Sequence, residues 1–139
     1  MSCPCGSNLP DAACCARWIA NGRAPTAQAL MRSRYTAYVR GEIAYLVDTH
    51  DASTRATVDV PAVEAWSRET LWMGLEILDV VRGGENDDEG IVEFVARGAT
   101  RGAPFAQRER SRFRRVDGRW YYIDGVVTAA PKRAKNRGR

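Results

Sequence analysis

Beyond residue 15 the chain contains no cysteine, and its 139 residues include a single histidine, His50. No Gly-rich phosphate loop, nucleophile elbow or HExxH-type pair occurs, so the common catalytic motifs give no support to an enzyme. No apolar run approaches the ~18 residues that would span a bilayer. The first residues lack the basic-then-apolar order of an export signal, from which a cytoplasmic location is expected. Internal repeats are also missing. What remains is an ordinary globular composition, 45% hydrophobic and 27% charged, which suits one domain with a small appendage.

The formal charge of +4 is uneven. Lys132, Arg133, Lys135, Arg137 and Arg139 place five positive charges, and no acid, in the last nine residues. Setting these five aside leaves the rest of the chain at −1, so the high pI belongs to the tail. Residues 131–139 are expected to be disordered.

All four cysteines stand at the start, as Cys3-x-Cys5 and the adjacent Cys14-Cys15. So short a stretch cannot bury a core, and four thiolates around one divalent cation would take its place. In a reducing compartment such a cluster reads as a metal site. Four Cys close a tetrahedral Zn²⁺ site with no position left for substrate, so the zinc expected here is structural. Pro4 and Gly6 favour the tight turn that lets Cys3 and Cys5 reach one ion. A Cys14–Cys15 disulfide would be strained, because neighbouring Cα atoms are only ~3.8 Å apart.

Trp18 and Ile19 are expected to pack this knuckle, residues 1–22, against the main body, residues 23–130. Thr26 is the N-cap of a helix over Ala27–Arg40, with Leu30, Met31, Tyr35, Tyr38 and Val39 on one stripe and Gly41 at its end. Ile43, Leu46 and Val47 mark a shorter helix toward His50. Residues 51–60 read as a polar loop. Asp59 caps a third helix, with Pro61 in its first turn and Val63 and Trp66 facing inward. The period then changes to two. Strands are expected at Thr70–Val81, Gly90–Arg97, Phe105–Arg115 and Trp120–Asp124, linked at residues 83–89, 98–104 and Asp117-Gly118. Helices first and an antiparallel meander after them make an α+β fold.

Alternation along the third strand places Phe105, Gln107, Glu109, Ser111 and Phe113 on one face and Arg108, Arg110, Arg112 and Arg114 on the other. The phenylalanines choose the inner face, which puts the Glu109 carboxylate inside. Glu93 is a second candidate for an inward acid.

These residues resemble a known family. CPCGSNLPDAACC (3–15) is similar to the SEC-C zinc motif. LMRSRYTAYVRGEIAYLVDTH (30–50), WMGLEIL (72–78), VEFVAR (92–97) and ERSRF with GRWYYIDG (109–125) resemble the YchJ-like family, uncharacterised bacterial proteins that join a SEC-C knuckle to a nuclear-transport-factor-2-like domain. The resemblance implies a cystatin-like cone, with helices packed in a curved antiparallel sheet around a pocket. It assigns no activity.

Several readings of the sites follow. Tyr35, His50, Trp66, Trp72, Glu109 and Tyr122 are the pocket candidates. His50 is a pocket base or, in the preferred reading, a loop anchor. Glu109 is an acid acting on a small ligand or, preferred, half of a buried ion pair with Arg34 or Arg97. The arginine row, with Lys132 and Arg133, could hold RNA or the ribosome. The leading function is a non-enzymatic binding or adaptor module, with the knuckle docking a protein partner and the cone a protein or small ligand, as a monomer or homodimer. An enzyme using the pocket is the alternative.

Overall fold

A computed structural model describes residues 2–129. The expected basic tail, including Lys132 and Arg133, lies outside the described residues. The chain runs α1 (Cys15–Asn21), α2 (Ala27–Arg40), α3 (Ile43–Asp48), α4 (Val60–Glu69), then β1 (Thr70–Arg82), β2 (Glu89–Thr100), β3 (Ala103–Val116) and β4 (Arg119–Ala129). The four strands form one antiparallel sheet in sequential order.

Helix α2 follows the expected limits because both ends are chemically marked. Thr26 Oγ1 accepts from the Ala29 amide at 3.0 Å, and Gly41 closes the helix with φ +72°. Asp59 caps α4 through the Ala62 amide. Helix α1 was not foreseen. Its seven residues begin at a cysteine and end at Gly22, whose φ is +69°. So short a helix carries little propensity signal and depends on what surrounds it.

The strands run longer than their apolar patterns. The link expected at residues 98–104 shrinks to Arg101-Gly102, both at positive φ, while Gly98 pairs with Phe105 and Ala99 with Pro104 inside the sheet. Gly98 serves close approach rather than a turn, since a Cβ there would lie 3.0 Å from the Phe105 ring. Asp117-Gly118 makes the expected turn, again with both φ positive. Irregular pairing at Trp72/Gly74 and Ile77/Asp79 in β1, and at Ile123 in β4, bends the sheet around α2.

The loop after α3 is not simply polar surface. The Asp51 amide donates to Tyr122 O at 2.7 Å and the Tyr122 amide to Thr49 O at 2.9 Å, so residues 49–51 lie along the free edge of β4. Asp51 is buried and takes Arg114 in a two-pronged pair at 2.8 and 2.7 Å, with Ser53 Oγ donating to it as well. The Arg114 guanidinium, followed by Ser53, holds the Asp51 carboxyl well below the usual carboxylate range. A depressed carboxylate stabilises the fold fully above its unfolded pKa of about 4, and that contribution is lost as pH falls below it. Asp51→Asn should therefore melt at a lower temperature than the parent at pH 7, with the gap narrowing below about pH 4. Melting curves over this range test the pair, and a gap constant down to pH 2 would contradict it.

Candidate metal centre and ligand cavity

Two sites lie on opposite faces of α2. The first is the knuckle. All four sulfurs, from Cys3, Cys5, Cys14 and Cys15, lie within 4.8 Å of one another and all four residues are buried. Cys5 and Cys14 stand 3.6 Å apart and Cys14 and Cys15 3.8 Å. A tetrahedron of sulfurs at the Zn–S length of about 2.3 Å has edges of about 3.8 Å, so the donor set fits a zinc-sized ion. The thiols form no disulfide. Gly6, at φ +81°, turns the chain between Cys5 and the return strand, where the Cys3 amide bonds Leu9 O.

Charge at this cluster is in conflict without a cation. Hydrogen bonding from Cys15, against the opposing cost of burial, brings the Cys5 thiol down to about 4. Burial pushes Cys14 up, and Cys15 rises chiefly because it is the donor to Cys5. One thiolate is thus favoured at the expense of its neighbours. A divalent ion stabilises all four together.

The outer partners of the sulfurs come largely from one stripe of α2. Arg32 donates to Cys5 O at 2.7 Å and approaches Cys5 Sγ at 3.8 Å. Thr36 Oγ1 meets Cys3 Sγ at 3.6 Å, and Arg40 pairs with Asp11 at 2.6 Å. Residues 32, 36 and 40 recur every four positions, so they share a face. Trp18 and Ile19 pack partly buried against the core, as expected.

The second site is a cavity of about 280 Å³ between α2, the sheet and the 57–59 segment. Tyr35, His50, Trp66, Trp72, Glu109 and Tyr122, the six residues singled out in the sequence, all line it. Tyr38 from the helix stripe and Gln107 from the inner strand face line it too, as does Arg34, which neither pattern marks. One wall is aromatic. Trp66 and Trp72 meet edge to face at 4.9 Å, and Tyr38 touches both at 5.2 and 5.5 Å. Both indole N–H groups are already used, Trp66 on Thr100 and Trp72 on Ser67 O. The Tyr35 hydroxyl accepts the Gly74 amide at 2.9 Å.

The polar end is built on Tyr122. Glu109 is buried, but neither expected arginine pairs with it: Arg97 binds Glu76 on the exposed side. Its carboxylate instead accepts from the Tyr122 hydroxyl at 2.7 Å, Ser111 Oγ at 2.6 Å and Gln107 at 3.4 Å. Inward alternation brought these hydroxyl and amide donors to the same face as Glu109, while the arginines went to the other. Burial, followed by the charge of Glu109, raises the Tyr122 hydroxyl far above its ordinary value and keeps it a donor. Arg34 stacks over the Tyr122 ring at 4.6 Å. His50 meets the same ring edge to face at 5.3 Å. Its Nε2 is buried and has no partner, and burial followed by the nearby Arg34 and Arg55 lowers its pKa, which favours the neutral ring. The anchor of this loop is the backbone around His50, not its imidazole.

Gly125 makes the Glu109 position possible. A Cβ built there would overlap the Glu109 carboxyl group. No sequence signal separated this glycine from a turn residue.

The arginine row does face outward, and each member meets a carboxylate. Arg108 and Arg110 bind Glu93, Arg110 also Asp79, Arg112 binds Asp124 in two bonds, and Arg114 binds Asp51. Glu93 therefore belongs to the outer face, not the interior. Among the described residues the row is a neutralised network rather than a cationic strip. No helix of these residues is long and apolar enough to cross a membrane.

Comparison with known proteins agrees with this architecture. Residues 26–125 match the family model of the YchJ middle NTF2-like domain. The chain is 44% identical over 124 residues to a UPF0225 protein of Geobacter sulfurreducens, spanning 88% of this chain and 77% of that protein. A UPF0225 protein of Chromobacterium violaceum is 46% identical over 128 residues, spanning 91% and 93%. The solution structure of a SEC-C motif containing protein from Rhodopseudomonas palustris superposes with a TM-score of 0.82 at 37% identity, covering 92% of this chain and 99% of that one. The crystal structure of a SEC-C motif containing protein from Psychrobacter arcticus gives 0.76 at 29% identity, covering 96% and 86%.

Because Gly125 leaves the space that Glu109 fills, Gly125→Ala should cost about 1–3 kcal/mol by overpacking. The cost should shrink in a Glu109→Ser background, where the space is free. Denaturant unfolding of the four proteins of this cycle measures the coupling, and additive losses would contradict the packing account.

Proposed function

We propose that this chain, which belongs to the YchJ-like (UPF0225) family of uncharacterised proteins, is a non-enzymatic small-ligand binder braced by a structural zinc ion. The observation that carries the binding reading is the cavity itself. It joins a wall of aromatic rings to a polar end where Arg34, His50, Glu109 and Tyr122 converge, and His50 Nε2 is left without a partner. A mostly apolar recess with a few directed polar groups is the general form of a small-molecule site. Buried polar groups kept unsatisfied are costly unless something completes them.

Zinc is supported by the four-sulfur geometry, the closed donor set and the Arg32 contact to Cys5. Cys3, Cys5, Cys14 and Cys15 would hold the ion. Bound there, it supplies charge compensation and cross-linking, with no open coordination position for substrate. Such a thiolate centre suits the reducing cytoplasm. A partner-docking role for the knuckle is a further use of the same surface. The outer arginines, each tied to a carboxylate, give the RNA reading less support than the cavity gives ligand binding.

Two outcomes are expected. Protein purified without added metal should carry about one equivalent of zinc by elemental analysis, and less than about half an equivalent would contradict the structural-zinc reading. Removing the metal with a chelator should lower the thermal midpoint by several degrees, because a bound ion stabilises only the folded state. An unchanged midpoint after verified metal loss would separate the ion from folding.

A further inference from the structure

Of the charged residues that line the cavity, Asp59 is exposed and caps α4, whereas the two buried ones, Arg34 and Glu109, are served very differently, and the difference indicates what enters. Glu109 already accepts three donors, from Tyr122, Ser111 and Gln107. Its charge is thereby solvated by the protein. Arg34 is equally buried at 7% exposure, yet it has no carboxylate in contact. Its hydrogen bonds run from Nη1 alone, to Leu46 O at 2.9 Å and Thr49 Oγ1 at 2.7 Å, and its flat face rests on Tyr122. By contrast Arg40, Arg108, Arg110, Arg112, Arg114 and Arg119 each reach an acid, although all are more exposed. A buried guanidinium without an anion is expensive, and its planar fork suits a carboxylate in two bonds.

We infer that the cavity takes a small monocarboxylate with a flat apolar body, its carboxylate on Arg34 and its body against Trp66, Trp72 and Tyr38. This rests on the ligand-binding reading above. His50 lines the same cavity and adds a polar ring to its charged end. The fixed anion at Glu109 disfavours a second negative charge, which limits the ligand to one. The cavity volume of about 280 Å³ lies just under the range for drug-sized ligands, which sets a body of about one ring. The shape of the site follows from which residues share a face: Arg34 and Tyr38 stand one turn apart on α2, so head and body contacts lie side by side.

The test compares three probes with the same ring and different heads: phenylacetate, phenethyl alcohol and phenethylamine. Each is titrated into the full-length, metal-loaded protein while two-dimensional NMR follows the indole N–H signals. Trp66 and Trp72 report the cavity, whereas Trp18 and Trp120 lie elsewhere and serve as internal controls. Phenylacetate should shift the first two signals and bind at least about tenfold more tightly than either other probe, as expected for a hydrogen bond to a buried charge. Arg34→Gln should abolish that preference. Should this variant fail to fold, the parent's ranking of the three probes decides alone. Equal or tighter binding of the alcohol or amine at Trp66 and Trp72 would overturn the carboxylate inference and leave the binding reading standing. No shift of these two signals with any probe at millimolar concentration would overturn both.

Discussion

Helix α2 is held on two faces at once, and the rest of the structure depends on that double hold. Arg32, Thr36 and Arg40 turn toward the cysteine knuckle, while Met31, Arg34, Tyr35 and Tyr38 turn toward the cavity. The helix also receives the β1–β2 hairpin at its start, where the Ala27 amide donates to Gly83 O at 2.9 Å. Gly83 and Gly90 face each other there with no room for a side chain between them and Ala27. A displacement of α2 would therefore be felt at the sulfurs, at the hairpin and at Arg34 together.

Electrostatics divides the sheet into two regimes. On the outer face, arginines and acids alternate across strands; apart from Arg114 with the buried Asp51, these are exposed pairs, each of which adds little to stability. On the inner face there is one acid, Glu109, and it is met by hydroxyls. The nearest cation, Arg34, stacks on the ring of the same tyrosine that donates to Glu109. Tyr122 thus keeps opposite charges close without letting them join. That separation leaves the guanidinium with Leu46 O and Thr49 Oγ1 as its hydrogen-bond partners and no carboxylate. His50 meets the Tyr122 ring because residues 49–51 pair with the edge of β4.

Much of this was legible in the chain. Thr26 and Gly41 marked α2 to the residue, and the alternation from Phe105 to Phe113 fixed which face Glu109 takes. With the helix stripe, that was enough to name six residues that share one cavity. The family resemblance supplied the curvature that brings them together, since periodicity alone does not bend a sheet. The losses have physical reasons. Alternation tells faces apart but not partners, so the hydroxyls on Glu109 were passed over for arginines. Gly98 and Pro104 looked like a loop, yet Gly98 admits the Phe105 ring and Pro104 sits opposite Ala99. Glu93 lay on a strand with apolar residues on both faces, where the period carries no direction. Asp51 read as loop surface because its burial depends on Arg114, a contact across 63 positions of sequence.

The central claim is that the cysteine knuckle and the cavity share one helix. Hydrogen exchange of the α2 amides, compared between zinc-loaded and metal-free protein under conditions where the sheet stays folded, tests it most directly. The account predicts that protection falls along α2, on the cavity-facing residues 34–38 as well as beside Arg32 and Arg40, while the β2 and β3 amides keep theirs. Loss of protection confined to residues 2–22, with α2 unchanged, would contradict it.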